Sequence, residues 1–166
     1  MLGKFGMWWK CSLYEDSARV PLLAAGPDFP SGVAVETPVQ LLDLQAELFR
    51  IFGANRPEAW HGRPLADATE EPNRVAFCEY HGHGTRSGAY MVRKGDWKLI
   101  YCMEAPNRLF NLREDPEELD NRCADEPEKA AELEAELRRI CSPERENRRA
   151  HAFEEAQLAA VAAEAD

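Results

Sequence analysis

The chain has 166 residues, 45% hydrophobic and 30% charged, which suits a globular unit of one domain or two small subdomains sharing a core. No stretch approaches the roughly 20 apolar residues of a membrane-spanning helix, and Met1 to Gly6 lacks a basic segment leading into an apolar one, so neither a span nor a secretory signal is expected. Twenty Lys and Arg stand against 30 Asp and Glu; the net charge of -10 repels a phosphate backbone and argues against nucleic-acid binding, while leaving room for a local anion site.

Residues 1–62 open the chain. Arg19-Val20-Pro21-Leu22-Leu23-Ala24-Ala25 is a short apolar run that stops at Gly26-Pro27, the pattern of a strand buried on both faces of a parallel sheet. A helix is expected next. Thr37 is placed to cap it, Pro38 suits its first position and Gln40 completes a Thr-x-x-Gln capping box. Leu41, Leu44, Leu48, Ile51 and Phe52 then recur at helical spacing, and Gly53 sits where a left-handed stop belongs.

From Asn55 to Asn73 the chain is rich in Pro, Gly and charge, marking a surface crossing and a boundary near residue 62. Beyond it, Val75 to Tyr80, Tyr90 to Arg93, Trp97 to Tyr101 and Arg108 to Leu112 read as short strands. Lys94-Gly95-Asp96 forms a hairpin turn between the second and third. Four strands without intervening helices predict a small antiparallel sheet within residues 63–125. Asp115-Pro116-Glu117-Glu118 reads as a helix start. A longer helix is expected from Pro127, with Ala130, Leu133, Leu137 and Ile140 as its apolar stripe and Pro143 as its end. An Ala-rich helical tail completes residues 126–166.

The five cysteines, Cys11, Cys78, Cys102, Cys123 and Cys141, show neither paired spacing nor a C-x-x-C, so disulfides and structural zinc are not expected. A reducing, cytoplasmic setting follows. The buried strand and helix of the opening region are too few to make a doubly wound sheet on their own. The remainder is expected upstream or from a partner, leaving apolar surface around Val20 to Ala25 and the Leu41 helix that self-association would cover.

Met1 to Leu23 presents Gly3, Gly6, Trp8, Trp9, Lys10, Tyr14-Glu15 and Arg19-Val20-Pro21 in that order. Further on come Glu79-Tyr80-His81, Tyr90-Met91-Val92-Arg93-Lys94-Gly95, Trp97-Lys98-Leu99-Ile100, Leu109-Phe110-Asn111-Leu112, Asp115-Pro116-Glu117-Glu118 and Asn121. This order resembles the sulfatase family of the alkaline phosphatase superfamily, particularly its choline sulfatase and phosphonate monoester hydrolase branches. In that family an Asp-His-Gly-Asp metal segment precedes the Gly- and Trp-rich stretch, and Met1 falls just after it.

The resemblance implies an α/β fold (α+β for the isolated fragment): the edge of a doubly wound sheet, then the four-stranded antiparallel sheet and C-terminal helices. Residues 1–62 become the end of the catalytic α/β domain. A complete member hydrolyses a sulfate, phosphonate or phosphate ester, with a formylglycine nucleophile and a calcium- or manganese-like divalent metal. This chain carries no cofactor of its own in that comparison and is expected to be inactive alone. Its substrate partner in the complete enzyme is a small sulfate or phosphonate ester. A non-catalytic oligomerisation or partner-binding module derived from such an enzyme is the alternative.

Three residues become candidates through the resemblance. Lys10 corresponds to a lysine that binds ester oxygens beside the metal, and an ammonium with three donors suits a sulfate; a solvated Lys in a Trp-rich loop is the plain alternative. His81 and His83 lie in a His-Gly-His-Gly loop whose glycines permit close backbone approach and whose imidazoles can donate to an anion; a surface loop is the alternative. A metal site from Cys78, His81 and His83 lacks a familiar ligand spacing. Cys141-Ser142-Pro143-Glu144-Arg145 satisfies the family's Cys-x-Pro-x-Arg pattern, but it closes a helix and follows everything else, so it is expected to be a chance match. Glu15 and Arg19 are expected to pair and anchor the loop after Lys10, with lone surface charges as the plain alternative.

Overall fold

The computed structural model describes residues 1–71, 73–82 and 85–164, with residues 69 and 70 by their backbone alone. Its centre is a four-stranded antiparallel meander, β1 (Val75–Tyr80), β2 (Ala89–Lys94), β3 (Trp97–Cys102) and β4 (Arg108–Asn111), paired in chain order. Register follows from the alternation: Phe77 opposes Val92, which opposes Leu99, which opposes Leu109. Lys94 pairs with Trp97 across the β2–β3 turn, and Gly95 there has φ 57, the left-handed value a two-residue hairpin loop requires. These are the four strands the alternation predicts.

Each face of the sheet has its own cover. On one, α3 (Pro127–Ile140) sets Leu133 and Leu137 against Tyr90, Val92, Leu99 and Leu109. Pro143 then starts α4 (Pro143–Glu164), whose distal half is exposed. On the other face Met91, Ile100 and Phe110 meet Met1, Leu13 and Tyr14 of the opening segment, which ends in the single turn α1 (Glu15–Ala18). The α+β architecture with C-terminal helices is therefore present. No helix among the described residues is long and apolar enough to cross a membrane.

Three local expectations are corrected. Residues 19–25 form no strand but run extended and exposed, with Leu23 95% accessible. A strand needs a neighbour for its N–H and C=O groups, and none of the described residues pairs with this stretch. The helix after it, α2 (Leu41–Ile51), is capped by Gln40 rather than Thr37; Asp43 Oδ2 accepts from the Gln40 amide at 3.0 Å. Asp115 to Glu118 turns without becoming helical, because Glu118 adopts φ 56 and sends its carboxylate into the sheet.

Helix α2 is also turned the other way from what its apolar spacing suggests. Asp43, Ala46 and Glu47 are buried, while Leu41 is 73% and Phe52 78% exposed. The acidic face is inward because Arg63, Ala66 and Arg74 offer it donors. Asp43 accepts from the Arg63 amide at 2.9 Å and pairs with buried Arg74 at 3.5 Å, and Glu47 accepts from the Ala66 amide at 3.2 Å. Gly62 lies so close to α2 that a Cβ there would stand 2.0 Å from the Leu42 carbonyl oxygen. Gly62→Ala is accordingly expected to lower stability by about 1–3 kcal/mol, the usual range for overpacking, measured as a shift in the urea midpoint.

Candidate functional site

The opening segment is a tight loop. Leu2 bridges to Trp8, the Gly3 amide donates to Met7 O at 3.0 Å, and Gly3, Phe5, Gly6 and Trp9 all take positive φ. This curl puts Trp8 and Trp9 outward, 63% and 80% exposed. Lys10 follows them at the surface, and its ammonium forms no ion pair with the described residues. Neighbouring Cys11 turns back: its side chain hydrogen-bonds Tyr80 at the end of β1, and that bond is the leading cause raising the Tyr80 pKa. Leu13 and Tyr14 are then buried. Tyr14 lies 6.0 Å from the Phe110 ring, beneath the Arg108 guanidinium at 5.6 Å.

Glu15 is anchored, though not by Arg19, which is exposed. Its Oε1 lies 2.8 Å from Lys98 Nζ, its Oε2 3.4 Å from Arg93, and its backbone amide donates to Glu118 Oε2 at 2.7 Å. Lys98 pairs as well with Glu118 Oε1 at 2.8 Å, and both of those side chains are fully buried. The expected Glu15–Arg19 pair is replaced because Lys98 projects from β3 on the face this segment covers. Lys98 and Glu118 carry no motif that marks them as site residues in the sequence. The available signal was alternation, which puts Lys98 in phase with Ile100 on an inward face where a cation needs carboxylates.

His81 follows Tyr80 directly, but it is the Tyr80 side chain that meets Cys11. The imidazole itself turns to the α3 side, edge-on to Tyr90 with ring centroids 5.3 Å apart. Its Nε2 is 3.3 Å from Glu79 Oε2, and its Nδ1 is buried without a hydrogen-bond partner among the described residues. Gly88 makes room for the ring; a Cβ there would meet His81 Cε1 at 2.7 Å. Asn147 of α4 holds the same loop, accepting from the Gly88 amide at 2.6 Å. His83 lies outside the described residues.

A cleft of about 480 Å³ opens between α2, β1 and the α3–α4 elbow, lined by Gln40, His61, Arg63, Glu79, Cys141 and Arg145 among others. Neither Lys10 nor His81 lines it. Its cations are spoken for, since Arg63 pairs with Glu71 at 3.0 Å and Arg145 with Glu146 at 2.9 Å. Burial, then Glu79, Glu146 and Glu144, push the Cys141 thiol up, away from the thiolate a reactive cysteine needs.

Beside it, the Arg138 fork grips Glu144 at 2.9 and 3.2 Å and holds that carboxyl down at about 2 against an ordinary 4.5. A depressed carboxyl contributes its stabilisation above the unfolded value and loses it on acidification towards the folded one. The elbow should therefore stay closed down to about pH 4.5 and loosen between there and about 2. Titration of Glu144 by carboxyl NMR checks this, and Arg138→Gln should move its midpoint back towards 4.5.

Among the described residues no three His, Cys, Asp or Glu side chains gather as a metal site. Cys78 packs on the Met91 face, opposite the Tyr90 face to which His81 turns. Cys141 sits at the end of α3 with a raised pKa.

A family model described as N-sulphoglucosamine sulphohydrolase, C-terminal, matches residues 3–146. Choline-sulfatase of Rhizobium meliloti (strain 1021) is 35% identical over 129 residues, covering 73% of this chain and 24% of that protein. Arylsulfatase K of Danio rerio is 32% identical over 162 residues, covering 91% of this chain and 31% of that protein. The crystal structure of a candidate sulfatase from Bacteroides thetaiotaomicron VPI-5482 superimposes with a TM-score of 0.61 at 25% identity, over 78% of this chain and 30% of the other. The chain thus spans about a quarter to a third of the length of the curated relatives it matches.

Proposed function

We propose, because this chain belongs to the sulfatase family through the C-terminal region of its members, that it supplies one wall of an ester-hydrolase active site. The substrate is a small sulfate or phosphonate ester, and the nucleophile and metal ligands come from the part of the enzyme that this chain does not span. The observation that carries the proposal is Lys10: its ammonium is exposed and unpaired with the described residues, yet buried Leu13 and Tyr14 fix its segment on the sheet.

An unpaired ammonium on a fixed support can donate to the non-bridging oxygens of an ester without first breaking an ion pair. Those oxygens gain charge as the ester bond breaks, so the same donors bind the transition state more strongly than the ground state. Trp8 and Trp9, which precede Lys10, present exposed aromatic surface to the organic part of such an ester. His81 faces Tyr90 on the other side of the sheet, so the proposed anion ligand from this chain is Lys10.

The test compares the chain alone with the chain co-expressed with a formylglycine-bearing sulfatase N-terminal region, using an aryl sulfate as probe. The chain alone is expected to show no turnover, and the pair to hydrolyse the probe. Turnover by the chain alone that Lys10→Ala abolishes would overturn the division of labour, and an inactive pair would remove the catalytic role.

The outward apolar face of α2, with Leu41, Ile51 and Phe52 exposed, favours a second role as a docking module that self-associates when alone. Sedimentation of the chain at increasing concentration separates the two. A monomer throughout counts against docking between copies.

A further inference from the structure

We propose that Lys98 is a positioning residue for Lys10, acting with Glu118 as a buried latch on Glu15; the proposal rests on Lys10 being the anion ligand. Three charged groups from distant parts of the chain meet here: Glu15 from the opening segment, Lys98 from β3 and Glu118 from the loop after β4. Lys98 and Glu118 are fully buried and Glu15 nearly so, at 0%, 0% and 12% side-chain exposure. Sealing ions from water is costly, and apolar side chains of similar volume would hold two surfaces together at least as well. What a buried ion cluster adds is direction, since its opposite charges meet in one arrangement only.

The details fix orientation more than adhesion. Glu118 uses one oxygen for Lys98 and the other for the Glu15 backbone amide, at 2.8 and 2.7 Å, so it holds both the side chain and the main chain of Glu15. To do so it adopts φ 56, a left-handed conformation that a residue with a Cβ keeps only when its surroundings hold it there. Arg93 steadies the second Glu15 oxygen at 3.4 Å. Tyr14 and Leu13, immediately before the latch, are wedged on the sheet, so the direction in which the chain leaves it towards Lys10 is set at Glu15. On the outer side Lys4 pairs with Asp16 and Glu117, both at 3.2 Å, closing the same junction from solvent.

Glu118→Gln keeps the shape and removes the charge, and Lys98→Met removes the ammonium; the first serves if the second fails to fold. Amide hydrogen exchange on the full chain is the first readout. The latch predicts that the amides of Glu15, Ser17, Ala18 and Arg19 lose protection at least tenfold more than those of β2 and β3. Equal loss throughout the molecule, or no loss at Glu15, overturns it. The second readout is a double-mutant cycle on kcat in the co-expressed enzyme. Glu118→Gln should lower kcat in the presence of Lys10 and have no further effect once Lys10 is Ala, whereas additive effects would make Glu118 and Lys98 merely structural. An unchanged kcat for Lys10→Ala alone defeats the assignment of Lys10 and the positioning role with it, while the exchange data still decide whether the latch exists.

Discussion

Lys10→Ala in the complete enzyme is expected to lower kcat/KM for an aryl sulfate by about 10²–10³, the loss typical of removing one oxyanion donor. The effect should fall on kcat as well as on KM, because charge on the ester oxygens grows towards the transition state and the ammonium answers it there. Lys10→Arg should recover only part of the loss. A guanidinium is a flat fork suited to two coplanar oxygens, and its reach and donor directions differ from those of an ammonium. The stability of the chain should not change measurably, since Lys10 is exposed and pairs with none of the described residues. Unaltered kinetics in a well-folded Lys10→Ala enzyme would sink the proposed role.

Leu137→Ala should lower stability by about 2–5 kcal/mol, while Phe153→Ala, a larger deletion, should stay within about 0.5 kcal/mol. Leu137 is completely buried in the cluster of Tyr90, Val92, Leu99, Leu109 and Leu133 that joins α3 to the sheet. Its removal leaves a cavity in the interface that orders both elements. Phe153 lies on the distal part of α4 and is 67% exposed, so little packing is lost with it. Urea midpoints of the two variants check the contrast. A destabilised Phe153→Ala chain would mean that α4 is covered in solution, by a second copy or by another part of the enzyme.

Much of the sheet is legible in the sequence alone. The strands alternate cleanly, the hairpin glycine sits where a positive φ is needed, and Pro127 and Pro143 open the two long helices. Each of these signals is local: a turn or a first helical position is decided by the backbone preferences of the residues that occupy it. The segment after Lys10 is held on the sheet by buried Leu13 and Tyr14, a contact that no local pattern announces.

What stayed hidden was every choice of partner. The spacing of Leu41, Leu48 and Ile51 correctly announced a helix, yet that face points outward, because the Arg63 and Ala66 amides and the Arg74 side chain donate to Asp43 and Glu47 on the other side. Val20 to Ala25 has the composition of a buried strand, yet it is exposed and pairs with no strand among the described residues. Glu118 looked like the second turn of a helix, and Lys98 like one more charge on a strand, until the fold brought them to Glu15. Sequence periodicity determines which side chains share a face. Which face is buried depends on contacts between residues 83 positions apart, as for Glu15 and Lys98, and only the tertiary structure supplies those.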